Sequence, residues 1–268
     1  MKEIVIVLAI SMMAFACSQN KITDRRQLNI VSNDFMTNMA DTQYKSVISQ
    51  GKVVNSGKDV SMVRNVAGNI AKAVEAYYKV NNMTDALKGY KWEFNLLESK
   101  QVNAWCMPGG KIAVYTGLLP VTQDKHGLAV VLGHEIAHAL AEHGKERFNQ
   151  QLLAQGGALT LQLFMAQKPA MTRDLFLQAF GVATELGVLL PFSRKQELEA
   201  DKLGLMFAAR AGYNPNAAIG LWERMGKLSE GAQPPEFAST HPSEDSRIEA
   251  LKKLMPEANK LYEASQKK

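Results

Sequence analysis

Two histidines and a glutamate between residues 134 and 138 have the types and spacing needed to bind a metal and activate water. The stretch reads His134-Glu135-Ile-Ala-His138. On a helix, residues four apart lie one turn apart on the same face, so both imidazoles can bind one Zn²⁺ while Glu135 reaches a water there. A catalytic zinc takes three protein ligands and keeps one position open. The sequence must therefore supply a third ligand elsewhere.

The residues around this motif indicate a buried helix. Apolar residues precede and follow it at helical spacing: Leu128, Val131, Leu132, Ile136 and Leu140. The alternative is an amphipathic helix whose histidines are ordinary surface or core residues. Because unpaired ionisable groups are costly to bury, a metal is the simplest partner for a buried motif of this kind.

A second acidic segment, Ser193 to Asp201, offers the missing ligand. Glu197 and Asp201 lie one helical turn apart, so Glu197 can complete a His-His-Glu site while Asp201 supports a ligand histidine. Glu199 is the rival ligand, and periodicity does not exclude it. The sequence thus leaves two glutamates as candidates for the third position.

The other histidines carry weaker signals. His241 lies in a predicted loop before a helix that contains Arg247, and it could donate to a developing oxyanion or coordinate the metal in a resting state. Taken alone, a surface role is the simpler interpretation of His241. We interpret His126 and His143 as ordinary structural residues, and His143 is at the wrong offset for the third histidine of a metzincin.

A small antiparallel sheet is predicted directly before the metal helix. The period changes to two between residues 91 and 115, with strands at 92–96, 102–106 and 111–115 and a Pro108-Gly109-Gly110 turn. An edge strand containing Asn103, Ala104 and Trp105 could hold an extended peptide by strand addition. An ordinary scaffold is an equally good interpretation.

The N-terminus has the build of an export signal. Lys2 is followed by an apolar run from residue 4 to residue 16, which is too short for a transmembrane helix. Ala16-Cys17-Ser18 resembles a bacterial lipoprotein cleavage site, at which Cys17 is lipidated; a plain secretory signal is the alternative. Residues 17–32 are interpreted as a linker, and residues 33–268 as a single domain. We therefore expect an exported protein of the bacterial envelope, held to a membrane by its lipid.

Composition narrows the class further. The chain has 268 residues, 46% of them hydrophobic and 21% charged, which suits one globular domain with a core. The net charge of +5 is spread without a long basic run, so we expect no nucleic-acid partner.

With Cys17 acylated, Cys106 has no partner for a disulfide and is interpreted as a buried apolar residue.

Helices are predicted on both sides of the sheet. The first is capped by Asn33 or Asp34 and extends to Gln50, and the second begins at Asp59 with one apolar face. Residues 149–190 are unusually apolar and suggest two helices that meet near Lys168. A buried helical hairpin is the simpler interpretation, and a mobile lid over the cleft is the alternative.

Together these motifs resemble a known peptidase family. The His134 motif, the Ser193-Arg194-x-x-Glu197-x-x-x-Asp201 segment and the His241-Pro242 pair with Arg247 resemble the gluzincins of peptidase family M48. This family includes prenyl-protein endopeptidases and a mitochondrial inner-membrane stress protease, and the similarity is stronger to exported bacterial forms of the BepA and LoiP type. It covers most of residues 22–250. The printed sequence has neither a tetratricopeptide array nor multiple membrane spans, so prenylated substrates are not implied.

The resemblance implies a mostly helical α+β metallopeptidase with one Zn²⁺ and assigns roles to individual residues. These roles are zinc ligation by His134, His138 and Glu197, base catalysis by Glu135, support of the ligands by Asp201 and Arg247, and an auxiliary role near the zinc for His241. The expected function is a zinc endopeptidase that hydrolyses misfolded or unassembled envelope proteins, with extended polypeptides as substrates. The alternative is a chaperone or assembly factor with latent proteolysis. We find no motif for binding a free chain terminus, as an exopeptidase would need.

Overall fold

The structure is a computed structural model that describes residues 17–156, 166, 168–182, 192–229, 235–241 and 245–267. The signal sequence predicted for residues 1–16 lies outside this part of the chain. Much of the apolar stretch 149–190 also lies outside it, so the choice between a buried hairpin and a lid stays a prediction.

Helices make up most of the described residues. They are α1 (Asn33–Gln50), α2 (Lys58–Val80), α3 (Leu119–Thr122), α4 (Lys125–Leu140), α5 (His143–Gly156), α6 (Pro169–Ala179), α7 (Arg194–Arg210), α8 (Ala217–Ser229), α9 (Glu236–Thr240) and α10 (Asp245–Ser265). The strands are β1 (Cys17–Gln19), β2 (Arg26–Leu28), β3 (Glu93–Leu97), β4 (Ala104–Met107) and β5 (Lys111–Tyr115). The predicted class, a mostly helical α+β fold with a small sheet beside the metal helix, is confirmed.

The three-stranded sheet has the order β3-β5-β4. The predicted turn joins β4 to β5 as an antiparallel pair, with Cys106 opposite Ile112, and Gly109 and Gly110 supply its two positive φ angles. However, β3 is parallel to β5, so the sheet is mixed rather than wholly antiparallel. Strand direction alternates from β3 to β4 to β5, and β5 lies between the other two strands. β3 and β5 are therefore parallel neighbours.

The sheet lies between two sets of helices because its residues alternate between faces. Cys106 and Ile112 belong to a core formed with α2 and α4, whereas Trp105 and Ala113 belong to a second core formed with α1. Tyr44 of α1 packs its ring edge-on against Trp105, at 5.7 Å between centroids. Both β4 and β5 thus pack against helices on their two faces.

The two predicted N-terminal helices are present. The apolar face of α2 is buried as expected: Val60, Val63, Val66, Ile70 and Val74. The cap of α1 differs from the prediction, since Ser32 precedes the helix and its hydroxyl accepts a hydrogen bond from the Phe35 N–H. Serine in an extended conformation is a favoured N-cap, so the helix begins one residue earlier than an Asn33 cap would place it and two residues earlier than an Asp34 cap would.

Helices α4 and α7 cross at a pair of glycines. A Cβ atom on Gly133 would lie 2.5 Å from the carbonyl oxygen of Gly204, and a Cβ atom on Gly204 would lie 2.5 Å from the backbone nitrogen of His134. Any side chain at either position would push the helices apart. The close approach places the acidic residues of α7 beside the histidines of α4.

The predicted linker 17–32 folds back onto the metal helix. Strands β1 and β2 form an antiparallel hairpin. The side-chain amides of Asn20, which follows β1, and Gln27, which lies in β2, donate to the carbonyl oxygens of Leu140 and Ala141, at 3.1 and 2.7 Å. These carbonyls are at the C-terminal end of α4, where no further helical N–H is available, so the hairpin caps that helix.

Among the described helices, none combines the length and the apolar composition needed to cross a membrane.

Candidate metal centre

Four side chains from three parts of the chain meet in the interior. They are His134 and His138 of α4, Glu197 of α7 and His241, which follows α9; one ligand atom from each lies within 4.8 Å of the others. The Nε2 atoms of His134 and His138 are 3.0 Å apart, and Nδ1 of His241 lies 3.2 Å from Nε2 of His134. Three imidazoles and a carboxylate therefore converge on one point.

Local helix signals explain why these residues face each other. Asp124 caps α4 by accepting from the N–H groups of His126 and Gly127, and the four-residue spacing then aligns His134 with His138. A capping box between Ser193 and Gln196 begins α7. Glu197 thereby falls on the first turn of α7, with Asp201 one turn later on the same face.

Asp201 and Arg247 lie on the side of His134 that faces away from the cluster. Nδ1 of His134 lies 2.9 Å from Oδ1 of Asp201, and Arg247 donates two 2.7 Å hydrogen bonds to the same carboxylate. Because an ionised carboxylate can only accept, Nδ1 of His134 carries the proton and its Nε2 lone pair faces the cluster. The supporting role expected of Asp201 and Arg247 needs contacts of this kind, and the role itself stays a prediction.

Arg247 also contacts Glu197, the carboxylate of the cluster. Its Nη1 lies 2.6 Å from Oε2 of Glu197, and its guanidinium stacks over the Trp222 ring at 3.9 Å. Arg247 is itself buried. One cation therefore holds two carboxylates of α7, those of Glu197 and Asp201, in place.

Burial and charge set the protonation of the cluster. Burial, with the neighbouring His134, lowers the pKa of His138 well below its usual range, and burial lowers the pKa of His241 to about 4. Burial alone would raise the pKa of Glu197, but His241 and Arg247 hold it well below its usual value. Neutral imidazoles and an ionised carboxylate are the donor forms that zinc requires.

Glu135 lies beside this cluster, and one of its carboxylate oxygens lacks a hydrogen bond among the described residues. Its side chain is buried, its Oε1 has no hydrogen-bond partner among the described residues, and that atom lies 3.5 Å from Nε2 of His241. Burial and the nearby Glu197 raise the pKa of Glu135 well above its usual range. An unpaired buried carboxylate is costly, so this group is suited to accept a proton from a molecule bound at the cluster.

Glu199, the rival for the third ligand, points away from the cluster. Its Oε2 lies 2.9 Å from Nε2 of His143, and its carboxylate also accepts from Nε of Arg25. The structure therefore brings Glu197, and not Glu199, to the cluster that contains His134 and His138.

His143 was interpreted from the sequence as an ordinary structural residue, but it contacts the centre. Its Nδ1 lies 2.9 Å from Nδ1 of His138. Positions five apart are about 140° apart around a continuous helix, which predicts no contact. The helix does not continue, because Glu142 adopts a φ of 55° and turns the chain between α4 and α5. No periodic signal in the sequence marks this contact.

The predicted peptide-binding residues are enclosed in this conformation. Asn103, Ala104 and Trp105 are all buried, and the side-chain amide of Asn103 donates to the Gly181 carbonyl oxygen. β4 is at the edge of the sheet, with β5 as its strand partner in the part of the chain described. Strand addition at this edge stays a prediction, and it requires the covering residues to move.

Aromatic rings enclose His241. Phe192 and Phe237 stack against its imidazole, with centroids 5.0 and 4.5 Å away, and Phe192 also lies 4.1 Å from the ring of His138. The four side chains of the cluster are each 4% exposed or less. In this conformation the cluster is therefore closed to a polypeptide.

The remaining candidates lie apart from the cluster. Nδ1 of His126 accepts a hydrogen bond from the Asn214 N–H at the far end of α4. Cys106 is buried, and burial raises the pKa of its thiol well above the usual range, as expected for an apolar residue rather than a nucleophile. The backbone of Cys17 begins β1, and its proposed lipidation stays a prediction.

Comparison with known proteins gives a consistent match. A family model described as "Peptidase family M48" matches residues 62–255. The mitochondrial metalloendopeptidase OMA1 of Schizosaccharomyces pombe is 37% identical over 248 residues, which are 91% of this chain and 68% of that protein.

Bacterial proteins also match. The metalloprotease LoiP of Escherichia coli is 25% identical over 232 residues, which cover 85% of this chain and 90% of that protein. The beta-barrel assembly-enhancing protease of Yersinia pestis is 31% identical over 163 residues, 59% of this chain and 33% of that protein.

Proposed function

We propose that this chain, which belongs to peptidase family M48 and is a zinc metalloendopeptidase, cleaves misfolded or unassembled proteins of the bacterial cell envelope. The predictions of family, enzyme class and zinc cofactor are confirmed. The compartment and the substrates are our proposal. So are the catalytic domain boundaries, residues 33–268. The observation that carries the chemistry is the convergence of His134, His138 and Glu197 beside Glu135, whose Oε1 has no hydrogen-bond partner among the described residues.

We assign the zinc to three donors, with a fourth in the closed conformation. The donors are Nε2 of His134, Nε2 of His138 and the carboxylate of Glu197. Nδ1 of His241 lies 3.0 Å from Oε1 of Glu197, and with zinc bound it would supply the fourth donor in place of the water of a catalytic site. This favours His241 as a ligand of the resting state over a role as an oxyanion donor.

Bound zinc would polarise the scissile carbonyl and lower the pKa of water toward about 7. Glu135 takes the proton of the attacking water through its carboxylate and then delivers it to the leaving amine. Asp201 and Arg247 hold His134 in one tautomer throughout. A peptide held along β4 needs no free chain end, so cleavage within a chain follows from strand addition.

The envelope assignment is supported by the N-terminal sequence. The apolar run of residues 4–16 before Cys17 suits an exported lipoprotein. Two relatives are bacterial proteases, one of them named for β-barrel assembly, whereas the OMA1 relatives are named as mitochondrial. Labelling with a radioactive fatty acid and fractionation of wild type and Cys17→Ser test this part. A Cys17→Ser protein that is still lipidated and membrane-bound would contradict it.

A chaperone or assembly factor is the second candidate, because an edge strand that binds extended chains does not need to cut them. The separating test is whether Glu135→Gln restores envelope integrity in a strain that lacks the protein. Restoration by the variant favours the chaperone, and failure of a folded, zinc-containing variant favours the peptidase.

The first experiment is metal analysis of the purified protein with cleavage of unfolded casein before and after chelation. Stoichiometric zinc with chelator-sensitive cleavage that Glu135→Gln abolishes supports the proposed mechanism. Zinc without any cleavage points to the chaperone, and a protein without zinc would contradict the assignment of the cluster.

A further inference from the structure

We propose that His143, held by Glu199, is a positioning residue that fixes which ring nitrogen of His138 is free to bind zinc. This inference rests on the proposed assignment of His138 as a zinc ligand. It adds to the site a residue that touches no substrate and acts only through His138.

The contacts form a continuous chain behind His138. Nδ1 of His143 lies 2.9 Å from Nδ1 of His138, and Nε2 of His143 lies 2.9 Å from Oε2 of Glu199. The rings of His138 and His143 are nearly perpendicular, at 73°, with centroids 4.9 Å apart. Both histidines are buried, and His143 has no exposed surface at all. The hydrogen bond between the two imidazoles is therefore shielded from water.

The order of donors along this chain follows from elementary chemistry. The Glu199 carboxylate only accepts, so Nε2 of His143 carries a proton and donates it. The other nitrogen of a neutral imidazole is then an acceptor, and Nδ1 of His143 can accept only from an N–H on Nδ1 of His138. With its proton on Nδ1, His138 presents an Nε2 lone pair to the metal cluster.

Arg25 of the N-terminal hairpin contacts Glu199, the last residue in this series of hydrogen bonds. Nε of Arg25, between β1 and β2, lies 3.0 Å from a carboxylate oxygen of Glu199. The two Nη atoms of Arg25 donate 2.7 Å hydrogen bonds to Glu146. Glu199 is therefore held on one side by Arg25 and on the other by His143, and this fixes the direction in which it accepts.

His134 and His138 are supported in the same manner. Behind His134 stand Asp201 and Arg247; behind His138 stand His143 and Glu199, followed by Arg25. The Nδ1 atom of each ligand thus contacts a buried acceptor, and each series of contacts includes a carboxylate and ends at an arginine. Groups that hold a ligand histidine in this way typically contribute 10- to 100-fold to metal affinity or activity.

The test uses the full chain and measures zinc affinity by competition with a chromophoric chelator, together with the visible absorption of the Co²⁺-loaded protein. His143→Leu removes both hydrogen bonds and should weaken zinc binding by about 10- to 100-fold and change the Co²⁺ bands. The matched control is His126→Leu, at the other end of α4, where zinc affinity should stay within twofold of wild type.

Two further variants separate positioning from packing. His143→Asn places an amide oxygen near the position of Nδ1 and can still accept from His138, whereas His143→Gln keeps a donor near Nε2 that can reach Glu199. We expect His143→Asn to bind zinc more tightly than His143→Gln. This order also decides the matter should His143→Leu fail to fold, and equal or reversed affinities would overturn the proposal.

The variant His138→Ala separates failure of this inference from failure of the proposed function. If His138→Ala retains full zinc affinity, the ligand assignment itself is wrong. If His138→Ala loses zinc while a folded His143→Leu binds it as tightly as wild type with unchanged Co²⁺ bands, the assignment stands and the positioning role is excluded.

Discussion

Gly133 of α4 and Gly204 of α7 meet backbone to backbone, and a Cβ atom on Gly133 would lie 2.5 Å from the Gly204 carbonyl oxygen. Real Cβ atoms do not approach a carbonyl so closely, and the obstacle is backbone, which cannot rotate away. The distance between the two helices therefore depends on these glycines. The same crossing places Glu197 and Asp201 beside His134.

The variant Gly133→Ala should destabilise the protein by about 1–3 kcal/mol, because an overpacked core must shift its backbone. Since the shift separates α4 from α7, zinc affinity should fall as well. The control is Gly68→Ala in α2, where the new methyl would meet nothing closer than Phe94 at 3.9 Å. Alanine in a helix interior should raise the free energy of unfolding there by about 0.5–1 kcal/mol. Denaturant titration with and without zinc measures both, and two variants of equal stability would contradict this account.

Glu135→Gln should retain zinc and lose cleavage. Glutamine keeps the shape of the side chain but cannot take the proton of the attacking water, so cleavage should fall by about 10²- to 10⁴-fold. His134→Ala should lose zinc and cleavage together. Metal analysis and cleavage of unfolded casein distinguish the two variants, and an active Glu135→Gln enzyme would be incompatible with the proposed base.

His241→Ala should bind zinc more weakly and cleave unfolded substrates faster. The physical reason is that Nδ1 of His241 completes the set of four donors, whereas catalysis needs one open position. Equilibrium competition and initial rates at saturating zinc measure the two effects separately. A variant with unchanged zinc affinity and a slower rate would instead assign His241 to the oxyanion.

Arg247→Met should lower the free energy of unfolding by about 3–5 kcal/mol, because two buried carboxylates lose their shared cation. Asp201 and Glu197 both contact Arg247 at 2.7 Å or less. The control is Arg210→Met at the end of α7, whose guanidinium lies 5.2 Å from the Tyr77 ring centroid and should contribute about 0.5–1 kcal/mol. Urea titration of both proteins checks the difference, and similar losses would show that the shared cation is unimportant.

Periodicity explains which parts of the structure could be predicted. The helix around His134 and the buried face of α2 follow from residue spacing along one element, and both are present. The turn at Gly109 and Gly110 follows from residue type. Each of these features depends on neighbours in sequence.

The features that sequence reasoning missed depend on how separate elements meet. The contact of His143 requires the chain reversal at Glu142, a non-glycine residue with a positive φ that no periodic pattern predicts. The parallel pairing of β3 follows from strand order. The packing of residues 17–32 depends on single polar side chains, such as Asn20, that bond to the end of a distant helix.

The ion pair between Arg25 and Glu146 should give the protein a specific dependence on pH. Burial alone would raise the pKa of Glu146, but the hydrogen bonds and charge of Arg25 hold it below its usual value of 4.5. A group whose pKa is lowered by folding stabilises the protein above its unfolded pKa, and this contribution is lost as pH falls through the folded value. The side chains of both residues are less than 15% exposed, so solvent screens the pair only weakly.

The variant Glu146→Gln should therefore unfold at a lower Tm than wild type at pH 7. Its free energy of unfolding should fall by about 1.5–3 kcal/mol, the contribution of a hydrogen bond to a charged group. The difference should stay constant down to about pH 4.5 and shrink below it, because wild-type Glu146 becomes protonated while the glutamine does not change. Other carboxylates with lowered pKa values, such as Glu199, are present in both proteins, so their contributions largely cancel in the difference. The control is Asp41→Asn, which removes an exposed pair with Lys45 and should scarcely change Tm at any pH. A difference between wild type and Glu146→Gln that grows on acidification would mean that Arg25 does not hold the pKa of Glu146 down.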